Sequence, residues 1–432
     1  MKEKINVGII GLGTVGTGTL RILRENADLI RHRLGVPIEV TRIAVRDLHR
    51  DRGIAVAPAL LTADPSQVIE NPDIDIVVEL IGGYEPARQL ILAAITRGKH
   101  VVTANKALLA EHGAEIHMAA QSAGVTVGFE ASVAGGIPVI KALKESLAAN
   151  RILSIYGIIN GTSNYILTKM TEEDRSFTDV LAEAQRAGYA EADPTFDVGG
   201  IDTAHKLAIL VNLAFGANIK LKDIFTEGIT AISPLDIDFG RTLGYKVKLL
   251  AIAKMHDDGK AEARVHPTMV PDEYPIAKVG GVYNAIQIVG NACQDIMLYG
   301  RGAGSLPTGS AVVGDIMDIA RQIQEGGRTG KPVPLSPVQL QPMESITSLY
   351  YFRFMALDQP GVLAQISGIL GKHRISIAQM IQRGRKEGGS VPLVIMTHTA
   401  LERDIRRALV EIKALACITE EPVLIRVEGN EQ

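Results

Sequence analysis

Tryptophan is absent from the 432 residues, and phenylalanine and tyrosine bring the aromatic share to only 4%. Any core must therefore be largely aliphatic. Cysteine occurs twice, at Cys293 and Cys417, far apart and without Cys-x-x-Cys spacing. That excludes a disulfide framework and a cysteine zinc site, and it suits a reducing, cytoplasmic setting. Charge of one sign is lacking too: the net charge is −3 with no block of like charges, which gives nucleic acid no footprint. No apolar run approaches the roughly 20 residues that cross a bilayer, and no signal-peptide pattern precedes the opening MKEKINVGIIGLG. What remains is ordinary for a soluble globular protein of two to three domains: 46% hydrophobic and 22% charged residues.

Strand and helix patterns alternate through the first part of the chain. INVGII, IEVTRIAV, DIDIVVELIG and HVVTANK read as buried strands. A helix follows the first, ARQLILAAITRG a later one, and VTVGFEASV reads as a further strand. This alternation predicts a doubly wound parallel sheet. Past about residue 135 the texture becomes α+β. SIYGIINGTSNYIL passes from strand to helix, helices follow around 178–187 and 202–215, and strands return in KLLAIAKM, ARVHPTMV and NAIQIVG. A long helix is expected over roughly 308–324. The Gly- and Pro-rich stretch EGGRTGKPVPLSPVQLQP then reads as a linker. From Ser348 a βαββαβ pattern with a Gly-rich turn at KEGGS predicts a small independent domain.

Gly11, Gly13 and Gly16 form G-x-G-x-x-G between the first strand and first helix, where a dinucleotide pyrophosphate meets a helix N-terminus. At the end of the second strand, Arg46 favours a 2′-phosphate, while Asp47 leaves NAD open. Lys106, in VVTANKALLAEHG, falls at the C-terminal edge of the sheet, where such folds place ligands. Glu130, in GFEASVAGGIPVIKAL, reads on spacing alone as part of a turn before a helix near Pro138, with a hard-cation site as the other reading. YAEADPTFDVGGIDTAHKLAIL crowds Glu191, Asp193, Asp197 and Asp202 ahead of Lys206. Asp202 and Lys206 stand four apart on a helix that is apolar nearly all round, so the pair is expected to be buried and functional rather than a surface ion pair. Asp193 is expected to cap the turn at Pro194, and His205 to be structural. Gly199 and Gly200 are expected to let a substrate approach the helix N-terminus.

NGTSNYIL (160–167), the stretch around Asp202 and Lys206, TANK (103–106) and GRGAGSLPTGSAVVGD (300–315) together resemble the homoserine dehydrogenases over essentially the whole chain. LDQPGVLAQI (357–366) looks like part of an amino-acid-sensing ACT domain. The resemblance implies an NAD(P)-binding Rossmann domain over 1–134, completed by a helix near 305–325. It implies a catalytic and dimerisation domain over 135–304, a linker over 326–347 and an ACT regulatory domain over 348–432.

The implied activity is that of an NAD(P)-dependent oxidoreductase acting on CH–OH. It reversibly reduces L-aspartate 4-semialdehyde to L-homoserine, toward threonine, methionine and isoleucine. Lys206 is implied as proton donor, Asp202 as its support and a substrate ligand, and Lys106 as rival or partner in proton transfer. Glu191 is implied to grip the substrate's amino end, and Asp197 to touch substrate or orient its neighbours. Cofactor contacts fall to Gly11, Gly13, Thr14, Val15, Gly16, Arg46, Thr103, Lys106, Gly188 and Gly304. Glu130 with the main chain of Val133, Gly135 and Ile137 matches a sodium site, reversing the reading from spacing. The expected cofactor is NADP with NAD left open, the effector L-threonine, and the assembly a homodimer or homotetramer. Deleting 348–432 is expected to remove any threonine response and leave catalysis. Two rivals compete. A phosphorylating semialdehyde dehydrogenase needs a nucleophilic cysteine in an active-site context, and neither Cys293 nor Cys417 has one. A non-enzymatic sensor would not need the Asp202–Lys206 pair.

Overall fold

Strands mostly rich in Ile and Val, several of them followed by a helix, build the N-terminal sheet. In a computed structural model, which describes residues 2–326, 338–385 and 389–429, the chain divides into two units. The first comprises Met1–Ile152, His205–Asp223 and Asn284–Val338. The second comprises Leu153–Ala204, Ile224–Tyr283 and Gln339–Gln432. Residues 327–337 of the expected linker and part of the KEGGS turn lie outside the described residues. Among the described residues no helix is long and apolar enough to cross a membrane.

The first unit holds β1 (Ile5–Ile10), β2 (Ile38–Ala44), β3 (Leu61–Thr62), β4 (Ile76–Glu79), β5 (His100–Thr103) and β6 (Val127–Gly128), ordered β3-β2-β1-β4-β5-β6. Every pairing is parallel, with Val7 opposite Val40 on one side and Ile76 on the other. Connections leave β1 in opposite directions, so its C-terminal end is a topological switch point. Its helices are α1 (Thr14–Glu25), α2 (Ala27–Leu34), α3 (Ser66–Ile69), α4 (Ala87–Thr96), α5 (Lys106–Ala123), the short α6 (Val139–Lys141) and α12 (Ser305–Glu325). Val7, Ile9, Ile76, Val78 and Val102 pack against Leu20, Val312 and Ile316, an aliphatic core as the composition requires.

Gly18 and Gly309 bring α12 onto α1. A Cβ on Gly18 would lie 2.1 Å from the Ser305 carbonyl oxygen, and one on Gly309 2.7 Å from the Thr19 nitrogen. Only Val127–Gly128 of the expected strand VTVGFEASV pairs in the sheet. Phe129 turns out of extended geometry, and residues 130–132 form a 3-10 turn. The strands β11 (Tyr283–Gly290) and β12 (Gln294–Arg301) are sheet neighbours; the second was not anticipated.

In the second unit β7 (Ile152–Ile158), β9 (Tyr245–Met255), β10 (Ala261–Pro271), β17 (Val423–Val427), β13 (Thr347–Leu357), β15 (Ser390–Thr397) and β14 (Ile377–Gln382) form one path in that order. Short strands β8 (Phe225–Thr226) and β16 (Ala400–Leu401) pair with β10 and β13. The helices are α7 (Gly161–Glu173), α8 (Phe177–Arg186), α9 (Thr195–Val198), α11 (Pro234–Thr242), α13 (Val362–Lys372) and α14 (Glu402–Lys413). Helix α10 (Ile201–Phe215) contributes its first turn to this unit and the rest of its length to the first.

The C-terminal βαββαβ segment is present, but its sheet is not independent. β17 pairs with β13 on one edge and runs parallel to β10 on the other, with Thr268 opposite Arg426. The scarce aromatics concentrate here: Tyr350, Phe352 and Phe354 on β13 are fully buried among Ile366, Leu370, Ile395, Ile405 and Ile412. Charges are buried with them. Arg426 donates to Glu402 at 2.6 and 3.0 Å and to Glu227 at 3.0 Å. Arg353 donates to Asp236 at 2.7 Å, and Arg264 bridges Glu262 and Glu428.

Candidate active site

The turn after β1 is shaped by its glycines. Gly11 has φ 103°, and a Cβ there would meet the Leu80 main chain at 2.8 Å; a Cβ on Gly16 would lie 2.3 Å from the Gly11 oxygen. Around Gly13 the Cβ position is open. Gly13 caps α1 without a side-chain hydrogen bond, and no acidic residue occupies the first turn. The helix N-terminus therefore presents main-chain N–H groups to an anion, as a pyrophosphate requires. Thr14 is exposed and Val15 half-buried. Ser305 donates to the Thr14 carbonyl at 2.7 Å, which brings Gly304, φ 123° at the start of α12, to the same loop. Arg46 is exposed just past β2, whereas the Asp47 carboxylate accepts the His49 N–H at 2.9 Å in a local turn.

Glu79 organises the ends of β4 and β5, and it carries no signal in the sequence beyond a lone acid closing an apolar strand. It is fully buried. One oxygen accepts from the N–H groups of Ile81 and Gly82 at 2.8 and 3.1 Å, and the other from the Thr103 hydroxyl at 2.7 Å. Thr103 in turn accepts the Asn105 N–H at 3.0 Å. Asn105 donates to the Gly83 carbonyl at 2.7 Å and caps α5 at Leu108. Lys106 is thereby fixed as the first residue of α5, at the C-terminal edge of the sheet.

Glu130 does something unexpected. Its two carboxylate oxygens accept the N–H groups of Ile140 and Lys141, each at 2.8 Å, and its own N–H donates to Asp315 at 2.8 Å. Burial raises the Glu130 carboxyl above its ordinary range against those two donors, and burial pushes Asp315 up to about 7. Between Val133 and Ile137 the chain takes two consecutive left-handed residues, Ala134 and Gly135, each at φ 56°. Such geometry is strained for alanine and reorients successive carbonyls. No cluster of three or more His, Cys, Asp or Glu suited to a metal occurs among the described residues. A cation here would rest on Glu130 and main-chain carbonyls, a donor set that suits a hard, oxygen-seeking ion.

In the second unit Asn160 stands at the centre of the acidic stretch. Its amide nitrogen donates to Asp197 and to Asp202, both at 2.8 Å, and its oxygen accepts the Ser163 N–H at 2.8 Å as the cap of α7. Asp202 is 2% exposed and Lys206, one turn further on α10, 8% exposed, amid fully buried Leu207, Ala208, Leu210 and Val211. His205 is buried as well. Asp193 accepts the Thr195 N–H at 3.0 Å and so caps the turn as expected. Glu191 and Gly188 are exposed on the loop after α8. Gly199 and Gly200 also meet a packing requirement. A Cβ on Gly200 would meet Thr226 and Val265 at 3.1 and 3.2 Å, one on Gly228 would meet the Val198 oxygen at 2.3 Å, and Ile229 donates to that oxygen at 2.8 Å. These glycines let the segment after β8 close over the start of α10. Sequence reasoning passed over Asn160, although it heads the NGTSNYIL motif.

Comparison with known proteins finds one family along most of the chain. The family described as homoserine dehydrogenase matches residues 138–317, its NAD binding domain matches 11–130, and the ACT domain matches 350–417. The homoserine dehydrogenase of Pseudomonas aeruginosa is 48% identical over 99% of both chains. A homoserine dehydrogenase structure from Thiobacillus denitrificans superposes with TM-score 0.93 at 48% identity, covering 98% of each chain. A hyperthermophilic archaeal homoserine dehydrogenase mutant in complex with NADPH covers 73% of this chain and 97% of its own, with TM-score 0.62 at 26% identity.

Proposed function

The chain belongs to the homoserine dehydrogenase family, an oxidoreductase acting on CH–OH with a nicotinamide dinucleotide, and from that premise we propose how its residues carry the reaction. The reaction is the reversible reduction of L-aspartate 4-semialdehyde to L-homoserine, a step toward threonine, methionine and isoleucine, with NADPH as preferred reductant. The exposed Arg46 beside a turn-engaged Asp47 supports NADP. So does the archaeal relative, a mutant in complex with NADPH.

When bound, the dinucleotide supplies the hydride to the aldehyde carbon. Gly11, Gly13, Thr14, Val15 and Gly16 hold its pyrophosphate, with Thr103, Lys106, Gly188 and Gly304 as further contacts. The chain's remaining task is the carbonyl oxygen, which gains negative charge as the carbon is reduced. Lys206 stabilises that charge and delivers the proton, and Lys106 is the alternative donor. Asp202 supports Lys206 and, with Glu191 and Asp197, holds the amino acid's ammonium group. The single observation that carries this reading is the burial of Asp202 and Lys206 one turn apart on an otherwise apolar helix. Glu130 with the carbonyls of Val133, Gly135 and Ile137 would hold a sodium ion, and the enzyme is a homo-oligomer.

Loss of NADPH absorbance with aspartate semialdehyde tests the reaction, run in parallel with NADH and with added L-threonine. Lys206→Ala is expected to abolish turnover while NADP still binds, as read by fluorescence titration. Near-wild-type kcat in that variant would sink the assignment. Threonine acts through the turn Asp358–Gly361, where Gly361 at φ 89° caps α13, and inhibition is the expected result of adding it.

A further inference from the structure

We propose that Asn160 is a positioning residue that gathers the carboxylates of Asp197 and Asp202 into one paired acceptor for the substrate's ammonium group. The proposal rests on the reading of those two acids as substrate ligands. Asn160 is 5% exposed, and its amide orientation is not free. The Ser163 N–H at 2.8 Å demands the carbonyl oxygen, so the NH2 group faces the acids and donates one hydrogen to each at 2.8 Å. The acids come from different elements, Asp197 from α9 and Asp202 from the first turn of α10. Two carboxylates drawn to one site repel each other. A neutral group with two hydrogens is the smallest device that holds both while adding no charge of its own. Ser163 secures the far side by donating its hydroxyl to the Asp197 carbonyl at 3.1 Å. Asn160 thus does two separable things: its oxygen caps α7, and its nitrogen joins the two acids.

The two tasks are separated by substitution, because Ser and Asp are as good as Asn at a helix N-cap. Asn160→Ser and Asn160→Asp both retain an acceptor for the Ser163 N–H. Neither can donate to two carboxylates at once, and Asp adds a third negative charge. In both variants the KM for homoserine is expected to rise and kcat/KM to fall by roughly ten- to hundredfold, the cost of hydrogen bonds to charged groups. The KM for NADP and, for Asn160→Ser, the melting temperature are expected to stay near wild type. A residue that only capped α7 would leave homoserine kinetics unchanged in Asn160→Ser. A homoserine KM within about twofold of wild type in that variant overturns the proposal. Asp202→Asn, measured alongside, separates the two levels. If it loses activity while Asn160→Ser does not, positioning by Asn160 fails and the site stands. If neither loses activity, the reading of the acids fails first.

Discussion

Lys248 shows how a single residue ties stability to pH. It lies on β9, 5% exposed, and its ammonium donates to the Val279 carbonyl at 2.6 Å. Burial, with Lys246 adding repulsion, lowers its pKa from the ordinary 10.5 to about 8. A cation whose pKa falls on folding binds its proton less well in the native state than in the unfolded chain. The charged form therefore costs stability in full below pH 8, and the cost fades as pH climbs from about 8 toward 10.5. The fall from 10.5 to about 8 corresponds to about 3 kcal/mol. Relative to Lys248→Met, the wild-type protein is expected to gain melting temperature between pH 7 and pH 9.5. A gap independent of pH in thermal unfolding would contradict this. Sequence alone could not place Lys248: its charge alternates with apolar neighbours in KVKLLAIAKM as on any half-exposed strand. Glu79 and Asn160 were hidden for a similar reason, since each acts through main-chain and carboxylate groups brought to it by other segments.

Between elements, α12 fits closely against α1. Gly309 leaves no space for a side chain because the obstacle is the main chain of Gly18 and Thr19, which cannot rotate away. Gly309→Ala is expected to cost about 1–3 kcal/mol by overpacking and to weaken dinucleotide binding, since Ser305 on the same helix holds the Thr14 carbonyl in the glycine loop after β1. Calorimetry and an NADP titration check both effects. Unchanged values would mean that α12 shifts without disturbing the loop. The helix itself was legible from the apolar spacing of LPTGSAVVGDIMDIARQI, and the resemblance assigned it to the first domain. The glycine contact was not, because it joins residues almost three hundred positions apart.

On the scale of the whole molecule, the C-terminal segment is part of a sheet rather than an appendage. Removing residues 348–432 would strip β17 from β10, leave Arg264 without Glu428, and remove Arg353 from fully buried Asp236 and Arg426 from Glu227. Breaking a buried ion pair by deleting one partner costs about 3–5 kcal/mol. Truncation is therefore expected to lower the melting temperature by more than about 10 °C or to give insoluble protein, whatever threonine does. That displaces the expectation that deletion leaves catalysis intact. A soluble truncated chain with wild-type melting and activity would restore it. The archaeal relative covers only 73% of this chain, so the fold exists in shorter form, but this chain has placed charges that require the longer one.

The sequence by itself determined the alternation of strand and helix, the dinucleotide loop, the buried Asp202–Lys206 helix and the C-terminal βαββαβ pattern. Each of these is written in spacing, in glycine placement or in hydrophobic period within a few dozen residues. Only the tertiary structure decided that Asn160 joins Asp197 to Asp202, that Glu130 caps α6, that Gly199 and Gly200 serve packing, and that β17 adds to β10. The reason is physical. A period reports which face of a segment is buried, whereas a hydrogen bond or a close main-chain approach depends on which distant segment arrives opposite it.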